Sequence, residues 1–300
     1  MGLVQNYQDY LEIEKNYSAH TVRAYLKDLD AFCRFMQEFY EVDPLDPIEA
    51  ESIHHKRIRS WMGMLTDEEQ LSLRTVARKI ASVNSWYRYL QKTGKISKNP
   101  AARVKVPRYS KKLPSFVRED GIENLFEKID FPEGFDGLRD KCLLEILYSC
   151  GLRRSELIGL EYKNIDHANQ TLKVLGKGNK ERIVPFGREA RKAMRAYEDF
   201  CQKSGIDYKG AYLLRKNGNP MYARLVHRIV EKYLSMACSL QKKSPHVLRH
   251  SFATHMLDRG ADLNAIKEIL GHKNLAATQV YVHNSIKRLK DIHKQAHPKA

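Results

Sequence analysis

The sequence predicts a mainly α-helical chain with a small β-sheet, split into an all-helical N-terminal domain and a mixed α/β C-terminal domain. Three observations predict this. Apolar residues recur three and four apart through most of the first hundred positions. A basic stretch punctuated by prolines follows at residues 98–114. Beyond it the helical period is broken by short β-prone runs around a glycine-containing connection. A chain of 300 residues has the length of roughly two domains.

The first helix is expected over Val4–Glu14. Ser18 reads as the N-cap of a long helix, whose apolar stripe is Val22, Tyr25, Leu26, Leu29, Phe32 and Met36. Ile53, Ile58, Trp61, Met62 and Leu65 suggest a further helix with looser periodicity. Leu73, Val76, Ile80, Val83, Tyr87 and Leu90 mark another, stopped near Gly94. Together these make a helical bundle over residues 1–98. Its aromatic residues lie on the apolar stripes and are expected in the core. Arg74, Arg78, Lys79 and Arg88 lie on the polar faces, available to solvent or to phosphate.

Residues 99–114 read as a linker. Pro100, Pro107 and Pro114 discourage a continuous helix, and Arg103, Lys105, Arg108, Lys111 and Lys112 discourage burial. The second domain is expected over 115–300, opening with a helix near Arg118–Ile129 and another at Leu138–Cys150 that ends at Gly151. Thr171–Leu175 and Arg182–Val184 read as strands joined through Gly176-Lys177-Gly178-Asn179-Lys180-Glu181, a β-hairpin. Helices then return at about Arg188–Lys203, Ala223–Ser239, His246–Asp258, Leu263–Leu270 and Leu275–Tyr281.

Charge narrows the function. The net charge is +16, and 42% of the residues are hydrophobic, enough for a real core. Residues 1–112 carry 19 Lys and Arg against 14 Asp and Glu, and residues 113–300 carry 33 against 22. Both halves are therefore basic, which suits a polyanion gripped from two sides. The five cysteines (Cys33, Cys142, Cys150, Cys201, Cys238) are scattered, never as C-x-x-C, which argues against a disulfide framework or a zinc site and fits a reducing cytoplasm. No signal-peptide pattern and no run of about 18 apolar residues occurs, so no membrane association is expected.

Several short segments carry chemistry. Ser244-Pro245 reads as a helix start, so His246 and Arg249 fall three apart on its first turns, an imidazole and a guanidinium at a positive helix end. Gly151-Leu152-Arg153 places an arginine just past a helix end, with Glu156 able to orient it; on composition alone Arg154 would serve as well. Lys177 sits at the hairpin tip, with Lys180 and Arg182 as neighbouring alternatives. His272 follows Leu270-Gly271 at a helix end, and Tyr281 lies nine residues on. A tyrosine with a pKa of about 10 is a poor nucleophile until cations and an acceptor base activate it. Two arginines, two histidines and a tyrosine are what metal-free attack on a phosphodiester needs.

The ordered set G-L-R-R-S-E-L, G-K-G-N-K-E-R, S-P-H-V-L-R-H, L-G-H and Q-V-Y resembles the tyrosine recombinase (phage integrase) family, most of all the Xer site-specific recombinases of bacteria. The likeness covers almost the whole chain, because Tyr17-Ser18-Ala19-His20-Thr21 and Lys98-Asn99-Pro100-Ala101 are typical of the same family. It implies a SAM-like core-binding domain followed by a tyrosine-recombinase catalytic domain. By matching positions it implies that Tyr281 is the nucleophile and forms a 3′-phosphotyrosyl link to DNA. Arg153 and Arg249 would hold the non-bridging oxygens, His272 would assist them, His246 would act as general base or acid, and Lys177 would protonate the leaving 5′ oxygen. Glu156 would support the set. Arg74, Arg78, Lys79, Arg103, Lys105 and Arg108 are expected to touch DNA. The resemblance further implies a cofactor-free reaction without metal or ATP, and no P-loop motif occurs. It implies two domains closing as a C-shaped clamp on duplex DNA, and four protomers on two sites, made of this chain alone or with a second Xer-type recombinase. Residues 284–293 would supply the protomer contact, and a DNA translocase is a candidate regulator. The motifs fit resolution of chromosome dimers at cell division; an integrase or invertase of a mobile element, a relaxing topoisomerase and a non-catalytic architectural DNA-binding protein are the competing readings. They leave open an XerC-like or XerD-like part.

Overall fold

The computed structural model describes residues 2–107, 115–176, 181–206 and 210–271. The chain divides into two compact units, Met1–Lys111 and Lys112–Ala300, each with its own hydrophobic core.

The first unit is a helical bundle. Helix α1 (Leu3–Asp9) runs on into a π-helical stretch, Tyr10–Glu14, so the expected first helix is present but widens in its second half. Helix α2 (Ala19–Tyr40) starts where Ser18 accepts a hydrogen bond from the Thr21 amide, and its inner face buries Val22, Leu29, Phe32, Phe35 and Met36. Helix α3 (Pro47–Ser52) was not expected; Asp46 caps it by accepting from the Ile48 and Glu49 amides, and Pro47 occupies its first turn. The loose spacing around Ile53 is explained by this extra helix, because Ile53 closes α3 while Ile58, Trp61 and Leu65 belong to α4 (His55–Asp67). Helix α5 (Leu73–Lys92), capped by Ser72, packs along α2. Tyr7, Trp61, Trp86 and Tyr87 are fully buried, and Trp86 donates its indole N–H to the Pro44 carbonyl at 3.0 Å, so the aromatic stripes are core.

The start of the expected linker is folded. Asn99 caps a 3-10 turn, Pro100–Arg103, and Ala101 and Val104 bury themselves in the first core. The prolines end α-helical structure without preventing burial of the small apolar residues between the charges.

In the second unit α6 (Glu119–Glu123) passes into a π-helical stretch at Asn124–Lys128, which together fill the expected 118–129 helix. Helix α7 (Phe135–Ser149) begins three residues before Leu138 and is buried around its circumference, with Leu143, Leu144, Ile146 and Leu147 all inaccessible. Helix α8 (Arg154–Ile158) follows at once. The sheet among the described residues has three strands in the order β1 (Ile165–Asp166), β2 (Thr171–Leu175), β3 (Glu181–Pro185), all antiparallel. β1 was not expected, since two residues carry no periodic signal. The β2–β3 register runs from Thr171 opposite Pro185 to Leu175 opposite Glu181, as the hairpin reading required. Helices α9 (Arg188–Lys203), α10 (Ala223–Ala237), α11 (Pro245–Asp258) and α12 (Leu263–Leu270) complete the unit. α9 and α11 pack against α7, and α11 is itself buried along nearly its whole length. Cys142, Cys150 and Cys201 are buried in this core as small apolar residues. No helix among the described residues is long and apolar enough to cross a membrane.

Gly137 in α7 sets how closely the preceding loop can approach. A Cβ there would lie 1.7 Å from the Pro132 carbonyl oxygen, an overlap with backbone rather than with a movable side chain. Gly137→Ala should therefore destabilise the protein by about 3 kcal/mol or more, read as a lower urea midpoint at unchanged slope.

Candidate active site

The site is built where the end of α7, the start of α8, strand β3, helix α11 and the end of α12 meet. Gly151 turns the chain out of α7 with φ +58°. A side chain there would strike Phe252 at 2.6 Å and Leu270 at 2.9 Å, so glycine is required both for the turn and for the closeness of α11 and α12. Arg153 then stands at the N-cap of α8 and Glu156 one turn in. The Glu156 carboxylate reaches back to accept the Arg153 amide at 2.7 Å, a capping contact that fixes its rotamer.

Three guanidinium groups converge on that one carboxylate. Arg153 Nη1 donates to Glu156 Oε1 at 2.6 Å. Arg182 of β3 donates through Nη1 to Oε1 at 2.8 Å and through Nη2 to Oε2 at 2.9 Å. Arg249 Nη1 lies 3.7 Å from Oε2. Only 3% of the Glu156 side chain is exposed, against 31% for Arg153. Burial pushes the Glu156 carboxyl upward, but hydrogen bonds from Arg182 and Arg153, with the charge of Arg182, outweigh it and hold the pKa at about 2. One negative charge among three positive ones leaves the cluster cationic, an electrostatic seat for a further anion.

The same arginines close the end of α12. A helix leaves its last carbonyls without intrahelical donors. Arg182 Nε donates to the Ile269 carbonyl at 2.7 Å, Arg249 Nη2 to Leu270 at 2.6 Å and Arg153 Nη2 to Gly271 at 3.2 Å. Arg249 Nη1 also donates to the Gly151 carbonyl at 2.6 Å, so Arg249 joins the ends of α7 and α12.

The residues singled out in the sequence fare as follows. Arg153, Glu156 and Arg249 come together. His246 and Arg249 share α11, but His246 is exposed whereas Arg249 is 5% exposed and turned onto the ends of other helices. Partial desolvation, then the charges of Arg249, Arg154, Lys242 and Arg153, hold the His246 imidazole below its ordinary pKa, which favours its neutral form. Ser244 stands at the N-cap position of α11 without a capping hydrogen bond from its side chain. Lys177, His272, Tyr281 and Arg108 lie outside the described residues, as do the helix expected at 275–281 and the segment 284–293. In the first unit, Arg74, Arg103 and Lys105 are exposed. Arg78 pairs with the buried Asp28 and keeps 43% of its side chain exposed. Lys79 keeps only 14%, with its ammonium 3.7 Å from Asp28 and 5.7 Å from the Trp61 ring centroid, so it is packed into the bundle.

Arg182 is the member the sequence reading did not place here, where it stood only as an alternative to Lys177. Strand alternation held the clue, since Arg182 lies two residues from buried Val184 and shares its face.

Glu156 yields a pH-dependent stability. Its folded pKa, about 2, lies below the ordinary 4.5, so its contribution is complete above pH 4.5 and is lost as pH falls toward about 2. Glu156→Gln should lower stability at neutral pH by about 3 kcal/mol, since it removes the charge to which Arg153 and Arg182 are bonded. The gap from the unsubstituted protein should narrow as pH falls from about 4.5 toward 2, in denaturant titrations across that range.

Residues 115–288 match the model of the phage integrase family, and residues 4–94 that of the phage integrase N-terminal SAM-like domain. The chain is 39% identical over 320 residues to the tyrosine recombinase XerC of Chlorobaculum parvum, covering 99% of this chain and 94% of the relative. To the XerC of Bacillus subtilis it is 35% identical over 305 residues, covering 100% and 97%. Among solved structures, the XerH site-specific recombinase bound to a palindromic difH substrate in a post-cleavage complex shares the fold, with a TM-score of 0.72 at 20% identity over 96% of this chain and 93% of that one. A lambda integrase dimer on a core site does so with a TM-score of 0.70 at 17% identity, covering 93% of each chain. The chain belongs to the phage integrase, or tyrosine recombinase, family.

Proposed function

We propose that this chain is a site-specific DNA recombinase of the Xer type, which cuts and rejoins duplex DNA through a 3′-phosphotyrosyl intermediate. The observation that carries the reading is the convergence of Arg153 and Arg249, from distant segments, on one buried carboxylate with excess positive charge. The relatives named XerC, similar over nearly their full length, support the Xer assignment.

In the reaction, the phenolic oxygen of Tyr281 attacks the scissile phosphorus and the bond to the 5′ oxygen breaks. The phenolic proton passes to a base, for which the neutral His246 is suited. Lys177 gives a proton to the departing 5′ oxygen. Arg153 and Arg249, aided by His272, stabilise the charge that builds on the non-bridging oxygens. The phosphotyrosyl ester keeps the bond energy, so a 5′-hydroxyl from another strand reverses the step without ATP. The first unit acts as the core-binding domain, with Arg74, Arg78, Arg103 and Lys105 as phosphate contacts. Exchange takes place in a tetramer on two DNA sites, with a second Xer-type recombinase or further copies of this chain, in the cytoplasm and under control of a DNA translocase. Its task is the resolution of chromosome dimers at cell division.

Incubation with a nicked suicide substrate should trap a covalent protein–DNA adduct through Tyr281. Tyr281→Phe should bind the same DNA and give no adduct; an adduct from that variant would refute the nucleophile. Removal of residues from 284 onward should abolish cooperative assembly on a full site while sparing binding to a half-site, both read by gel shift. Unchanged assembly would count against a C-terminal protomer contact.

A further inference from the structure

We propose that Arg182 is a positioning residue of the phosphate clamp, fixing the Glu156 carboxylate against the end of α12 and thereby aiming Arg153 and Arg249. This rests on the reading that those two arginines hold the scissile phosphate.

Of the three arginines, Arg182 alone grips Glu156 with both prongs, at 2.8 and 2.9 Å. A two-pronged guanidinium–carboxylate contact sets the plane of the carboxylate as well as its place. Arg153 donates one guanidinium nitrogen to Glu156, and Arg249 only approaches it at 3.7 Å. The Arg153 amide, at 2.7 Å from Oε2, holds the carboxylate at the start of α8, and the Arg182 fork adds from β3 the second constraint on its plane, and hence on the Arg153 fork bonded to it. The remaining Arg182 nitrogen, Nε, holds the Ile269 carbonyl, next to the Leu270 and Gly271 carbonyls that receive Arg249 and Arg153. Arg182 thus binds both bodies against which the other two arginines are aligned.

Its placement fits a residue that acts through others. Every guanidinium nitrogen of Arg182 donates to a protein acceptor, and only 11% of the side chain is exposed, against 31% for Arg153. Gly271, at φ +64°, leaves α12 directly over it; a Cβ there would stand 3.2 Å from Arg182 Cδ and 3.3 Å from Nε. Arg182 also lies one residue beyond Glu181, which pairs with Leu175 to close the hairpin whose connection bears Lys177. The hairpin, the clamp and the end of α12 are joined through this one side chain. Lysine at 182 would keep the charge but has no planar fork with which to hold both carboxylate oxygens.

The test uses the full-length protein on a suicide half-site, with DNA affinity and the single-turnover rate of adduct formation measured separately. Arg182→Met should slow adduct formation roughly 10- to 100-fold, the scale of a misplaced reacting group, while half-site affinity stays near that of the parent. Arg182→Lys should remain close to the Met variant, because charge without the fork does not restore aim. In a Glu156→Gln background the further loss from Arg182→Met should shrink, because the two residues act as one unit. Full recovery by lysine, a loss of rate matched by loss of affinity, or losses that multiply independently would each overturn the inference. Should Arg182→Met not fold, Arg182→Lys decides alone: slow adduct formation at parental affinity supports it and parental rate overturns it. A parent protein that forms no adduct sinks the recombinase reading, whereas an active parent with an unimpaired Arg182→Met sinks only the role of Arg182.

Discussion

The arginine cluster of the second unit is organised around one buried carboxylate, that of Glu156. Left alone in the interior, the Glu156 carboxylate would take up a proton. Three arginines prevent this by converging on it. The dependence is mutual. Without Glu156, Arg182 would be a buried cation that keeps its bond to the Ile269 carbonyl, and Arg249 would lose the carboxylate 3.7 Å from its Nη1. Because the arginines also satisfy the last carbonyls of α12, the same charge balance that keeps Glu156 ionised fixes where that helix ends.

The surrounding framework explains how such a balance is held in place. Helices α7 and α11 are buried nearly all round, so their positions are set by close packing. Gly151 removes the one Cβ that would keep α11 and α12 from closing on the end of α7. The β2–β3 register puts Arg182 opposite Val174, on the face of the strand that carries buried Val184. Each of the three arginine-bearing segments is therefore located by apolar packing or strand register before any charge is counted.

Much of this was legible in the sequence. The long helices were, because an apolar stripe repeated over several turns, behind the Ser18 cap or up to the stop near Gly94, has few competing readings. The hairpin was, because its turn residues and β-prone flanks agree. Arg153, Glu156 and Arg249 were found through local motifs and the family resemblance. What escaped has a common cause. The two residues of β1 and the six of α3 are too short for a period to show, although Asp46-Pro47 did carry a start signal. The two π-helical stretches are departures of backbone geometry that composition does not encode. The carbonyls of Ile269, Leu270 and Gly271 are groups every residue possesses, so no letter of the sequence marks them as acceptors for three arginines. Arg182 needed knowledge of which face of β3 turns inward, and a five-residue strand with exposed Ile183 points either way.

The three arginines come from the loop after α7, from β3 and from α11, segments separated by much of the second unit's length. No short stretch of the chain contains all three, so in the proposed role none of its parts could hold a phosphate in the required way alone. A partly folded chain emerging from synthesis, or one opened by local melting, still carries its positive charge, and with it a general attraction to polyanions. It lacks the assembled arginine cluster on which the proposed strand breakage depends. On the proposed function, spreading the centre across the fold works as an interlock, in which competence to cut arrives only with completed folding, while attraction to the polymer does not wait for it.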